Sequence, residues 1–129
     1  MPFDPEYPNG DVKKMFRPLE RLSERYIEDP TAPPILTCEW MYMGAEVGKP
    51  VIYQYKHKGS RRYLCISARG RIALGTGANG KPYFTDNPHR VLAALELHEF
   101  GGTWEMEDYC GDCRALLQRR RAMRHVRAV

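Results

Sequence analysis

The chain has 129 residues, 43% of them apolar and 28% charged, with a formal net charge of +4. That is enough for one buried core without disulfide staples, and too apolar for a disordered chain. No apolar run approaches the roughly 20 residues that cross a bilayer, and the opening MPFDPEYPNG has neither the basic nor the apolar part of a signal peptide, so a membrane role and secretion are set aside and a cytoplasmic location with reduced thiols is expected.

The pattern reads as a single α+β domain over residues 1–129. Residues 1–11 carry three prolines and read as an extended N-terminal arm. Pro18 suits the first turn of a helix and disfavours helix at Arg17, which starts a first helix near Pro18. Leu19, Leu22 and Tyr26 form its apolar face, and Pro30 stops it. ILTCEWMYM (35–43), VIYQYKH (51–57), RRYLCIS (61–67) and RIAL (71–74) are rich in β-branched and aromatic residues and are separated by short turns. They predict a three- to four-stranded antiparallel meander covered by helices, with Leu64 and Ile66 facing the core and Tyr63, Cys65 and Ser67 facing away. Asn87-Pro88 caps a further helix carrying Val91, Leu92, Leu95 and His98 on one face, which Gly101-Gly102 ends. TWEMEDY reads as a short strand, and residues 113–129 as a basic amphipathic C-terminal helix.

Charge is polarised along this order. Residues 47–85 hold eight bases, and the stretch from Arg114 onward holds six arginines; all 16 acids lie elsewhere. On the last helix Ala115, Leu116, Ala122, Met123 and Val126 share a face interrupted by Arg119, while Arg114, Arg120, Arg121, Arg124 and Arg127 lie across the other. Guanidinium groups in such a row suit phosphates. Lys56, Lys58, Arg61, Arg62, Arg69 and Arg71 surround the strand turns beside Tyr55 and Tyr63, rings able to stack on bases. The competing reading pairs these arginines with Glu99, Glu105, Glu107, Asp108 and Asp112, within one fold or across a homodimer.

Cys110-Gly111-Asp112-Cys113 opens the last helix. A CxxC pair there can form thiolates for redox exchange or for zinc, which needs about four ligands. His125 lies twelve residues beyond Cys113, roughly 18 Å along a continuous helix, and cannot share its metal. His98, Cys38 and Cys65 are the other candidate ligands, although His98 continues an apolar face and both cysteines fall in strand-like segments as small buried hydrophobes. GTGANGKP (75–82) matches a phosphate-loop spacing, but PYFTDNP cannot open the helix such a loop requires, so it reads as a glycine-rich turn.

Two resemblances accompany these residues. YCGDCRAL is similar to the WCGPCR segment of thioredoxin-like proteins, with Asp112 in place of proline; only sixteen residues follow Cys113, so that fold is not expected. YLCISARGRIALGTG leading toward VLAALEL resembles the double-stranded-RNA-binding domain, which implies RNA binding on a helix, three strands and a helix. The family's basic KKxAK helix start is absent, and the ILTCEWMYM strand is extra.

With no nucleophile motif and no convincing carboxylate pair, a non-catalytic role is expected. The leading expectation is a nucleic-acid-binding protein contacting phosphates of RNA or DNA through the basic hairpin region and the arginine helix. The alternatives are a module docking on an acidic protein surface, as an inhibitor or assembly subunit, or a small zinc or redox protein using Cys110 and Cys113.

Overall fold

The computed structural model describes residues 3–26, 35–76, 82–85 and 109–128, with 26, 75, 76, 82, 112, 120, 121 and 123–128 described by backbone alone. The strands are β1 (Phe3–Asp4), β2 (Trp40–Glu46), β3 (Ile52–His57), β4 (Tyr63–Ser67), β5 (Ile72–Thr76) and β6 (Pro82–Thr85). The helices are α1 (Val12–Tyr26) and α2 (Gly111–Ala128), and a 3-10 turn spans Thr37–Glu39. All six strands pair antiparallel in chain order. The fold is thus mixed α+β, with a longer meander than the three or four strands expected and longer than the three-stranded pattern of the double-stranded-RNA-binding domain. The helix expected from Asn87 and the strand expected in TWEMEDY lie outside the described residues.

The N-terminal arm is not free. Phe3 and Asp4 pair with Glu46 and Ala45, adding an edge strand. Gly44, at φ +126°, sits in a bulge of β2 and permits this approach, since a Cβ there would lie 2.6 Å from Phe3 and 2.7 Å from the Pro5 backbone.

Helix α1 begins six residues before Pro18, at a capping signal the proline obscured. The Asp11 side chain accepts the Lys14 N–H at 3.2 Å, as an N-cap does. Pro18 then lies in the helix interior, where it has no N–H to offer the Lys14 carbonyl. The fully buried Tyr55 is placed beside it: its hydroxyl donates to the Met15 carbonyl at 2.6 Å, and the Leu19 N–H hydrogen-bonds the same phenol oxygen. A strand side chain thus enters the helix ladder next to the proline.

Leu19 and Leu22 of α1 pack on Trp40, Ala45, Tyr53, Tyr55, Leu64, Ile66 and Ile72. The expected division of β4 holds: Leu64 and Ile66 are buried, and Tyr63 is exposed. The β4–β5 turn closes against α1, where Arg21 and Arg25 donate to the carbonyls of Ala68 and Arg69. After β5 the chain continues as strand β6, not as a helix, so the glycine-rich segment lacks the helix a phosphate loop needs. No helix among the described residues is long and apolar enough to cross a membrane.

Burial, as the first cause in each case, holds the Tyr42, Tyr53 and Tyr55 phenols above their ordinary value of 10. The unfolded chain therefore loses these protons first. Stability is fully present below about pH 10 and falls as pH rises toward the folded values, by about 1.4 kcal/mol per unit for fully buried Tyr55 and less for the other two. In an alkaline titration, the phenolate absorbance of these three is expected to rise together with loss of circular dichroism. A Tyr55→Phe variant should reduce that linked amplitude; full ionisation of all three before unfolding would contradict it.

Candidate metal centre

Cys110 immediately precedes α2, and its carbonyl accepts the Arg114 N–H at 2.9 Å, so CGDC forms the helix's first turn rather than preceding a helix that starts at 113. The i, i+3 spacing puts Cys110 and Cys113 on one side of that turn. The segment ILTCEWMYM, expected as continuous strand, instead begins with the 3-10 turn, closed by Glu39 N–H to the Leu36 carbonyl at 2.9 Å. This turn carries Cys38 to the mouth of α2. The sulfurs of Cys38, Cys110 and Cys113 all lie within 4.8 Å of one another. Cys65, on the sheet, is not in this group, and His98 lies outside the described residues, as does the side chain of His125.

The sulfurs receive hydrogen bonds. The Cys38 N–H donates to Cys113 Sγ at 3.4 Å, and the Thr37 hydroxyl lies 3.5 Å from the same sulfur. The Cys110 backbone N–H donates in turn to Cys38. Without a cation, burial favours the protonated form of Cys38 and Cys113: burial, foremost, pushes the Cys38 thiol up to about 12, with Cys113 adding to it, and burial likewise raises Cys113. The N–H and hydroxyl donors act in the opposite sense, favouring thiolate once positive charge is supplied.

Behind the thiols lies a buried polar network. Glu39 Oε2 is 3.0 Å from His57 Nε2, and Glu39 Oε1 accepts the Tyr109 hydroxyl at 3.0 Å. The Ser60 N–H donates to His57 Nδ1 at 2.9 Å, so Nδ1 carries no proton. His57 is therefore the neutral Nε2–H tautomer, donating to the carboxylate. The ring of Trp40 meets His57 edge-on at 5.0 Å. Glu39 and Tyr109 each adjoin a cysteine of the cluster, so their bond aligns the two chain segments that supply the thiols. Leu36, Tyr109, Cys113 and Leu117 form the apolar wall beside them. The buried side of α2 thus runs through Cys113 and Leu117; Ala115 and Ala122, expected there, are exposed.

Two bases expected at phosphates are turned to this centre. Lys58 Nζ donates to the Cys38 carbonyl at 2.8 Å, and the Arg114 guanidinium donates to the Tyr109 carbonyl at 3.1 Å. They put positive charge beside a group of three potential anions. A cleft of about 300 Å³ between α1 and α2, lined by Glu20, Glu24, Cys113, Leu116 and Arg119, reaches the Cys113 side of the cluster.

The remaining expected contacts are dispersed. Arg61 (φ +63°) and Arg62 are exposed in the β3–β4 turn, Arg69 is exposed at the α1 contact, Lys56 lies in β3, and Arg71 immediately precedes β5. Tyr55, expected to stack on a base, does not face solvent: its ring is fully buried under α1, and no base can reach it. Arg120, Arg121, Arg124 and Arg127 belong to α2, and their side chains lie outside the described residues. The sequence does not single out Glu39, His57, Thr37 or Tyr109. The available signal was alternation, which places His57 on the core side with Tyr53 and Tyr55, and a single acid within an otherwise apolar segment. No protein-family model, curated protein or solved structure matches this chain.

Proposed function

We propose that this protein is a zinc-binding domain in which the thiolates of Cys38, Cys110 and Cys113 hold the metal and tie the basic C-terminal helix to the sheet. The observation that carries the reading is the convergence of three sulfurs from segments 75 residues apart in sequence. Tetrahedral zinc with bonds of about 2.3 Å needs sulfur separations of about 3.8 Å, a contraction that side-chain torsions supply. Thiolate donors suit zinc, and backbone N–H groups aimed at sulfur, with Lys58 and Arg114 close by, offset the negative charge such a site collects. Zinc takes about four ligands, so the site requires one donor beyond these three thiolates. The reading suits a compartment with reduced thiols, such as the cytoplasm.

Metal analysis of protein purified without chelator tests it, with thiol titration alongside. About one zinc per chain is expected, lost in Cys38→Ser, Cys110→Ser and Cys113→Ser and retained in Cys65→Ser. Retention of zinc in Cys38→Ser would refute the three-thiolate site. A reversible internal disulfide in place of metal would assign the cluster to redox exchange.

A further inference from the structure

The sheet face opposite α1 carries a second chemistry. Paired residues of antiparallel strands share a face, and the ladder can be followed across the sheet. Met41 pairs with Lys56, and Lys56 with Tyr63. Ile66 pairs with Ile72 on the core side, so the next residue, Ala73, and its partner Phe84 lie on the outer side with Tyr63. Tyr63 is 51% exposed, and Lys56 Nζ stands 5.4 Å from its ring centre. The Arg71 guanidinium stands 5.4 Å from the Phe84 ring centre. Two aromatic rings, each with a cation over it, therefore share one face. Among its described residues the face holds one acid, Glu46, at the end away from Tyr63.

We infer that this face binds single-stranded nucleic acid, with Tyr63 and Phe84 stacking on bases and Lys56 and Arg71 neutralising phosphates. A duplex presents its phosphates but keeps its bases stacked inside, so it leaves the rings unused; an acidic peptide offers charge but no flat partner. Two strand steps across and two residues along separate the rings by roughly 12 Å, so they would engage different bases of one extended strand. The inference is independent of the zinc reading.

Fluorescence anisotropy with short labelled single-stranded RNA and DNA, and with duplexes of the same sequence, tests it over a range of salt. Single strands are expected to bind more tightly than duplexes, and the RNA and DNA arms separate the two sources. Tyr63→Ala should weaken binding by about tenfold or more at an unchanged salt slope. Lys56→Gln and Arg71→Gln should each flatten the slope of log affinity against log salt by about 0.7. Phe84→Leu tests the second ring, and melting curves on the same variants confirm folding; because Tyr63 is exposed, its variant carries the decision. Absence of salt-sensitive binding to any nucleic acid overturns the inference, as does a preference for duplex or equal affinity in Tyr63→Ala and Lys56→Gln. Loss confined to a triple Gln replacement of Arg120, Arg121 and Arg124 would move the interface to α2. Equal binding of an acidic polypeptide would assign the face to a protein partner.

Discussion

Glu39→Ala is expected to lower the unfolding free energy by about 2–6 kcal/mol, the cost of leaving two buried hydrogen-bond donors without their acceptor. Both carboxylate oxygens are engaged, one with the neutral His57 ring and one with the Tyr109 hydroxyl, and the carboxylate and imidazole are almost wholly buried. Alanine removes the acceptor for both groups at once, and each buried donor so deprived costs about 1–3 kcal/mol. Glutamine should cost less, because its carbonyl can take the His57 proton while its amide donates to the Tyr109 oxygen. In urea unfolding followed by circular dichroism, Glu39→Ala, His57→Ala and the double variant should couple by about 0.5–3 kcal/mol, as residues of one network do. A loss below about 1 kcal/mol for Glu39→Ala would show that the network is relaxed or hydrated.

Metal removal is the second large effect, and it is expected to be local. Among the described residues the main core joins α1 to the sheet without any residue of α2, whereas α2 is held through Cys113 and Leu117 in a small separate cluster. A tightly bound structural zinc can contribute about 10 kcal/mol to the element it organises, comparable with the whole stability of a domain. Chelation should therefore abolish hydrogen-exchange protection along Gly111–Ala128 and leave that of α1 and β2–β4 nearly intact. Cys38→Ser should reproduce the pattern although it lies far from α2 in sequence, and Cys65→Ser should not. Uniform loss of protection would mean that the cluster supports the entire fold; unchanged protection of α2 would mean that packing alone holds the helix.

What the sequence by itself determined is local. Alternation in Tyr63–Ser67 assigns Leu64 and Ile66 to the core, since successive strand side chains point to opposite faces whatever lies beyond them. Short polar turns set the antiparallel meander, and the CGDC motif marks a helix entrance. Tertiary structure decided what depends on elements distant in the chain. The hydroxyl of Tyr55 enters the ladder beside Pro18, in a helix that the local preference of proline would have begun there. Tyr55 and Tyr63 look equivalent in composition, but the pairing of Lys56 with Tyr63 sends them to opposite faces. The thiol of Cys38 meets the CxxC pair because a 3-10 turn interrupts the expected strand and the sheet brings that turn to the mouth of α2. Spacing rules detect ligands that share one local segment; a site assembled across 75 residues depends on the packing of the chain between them.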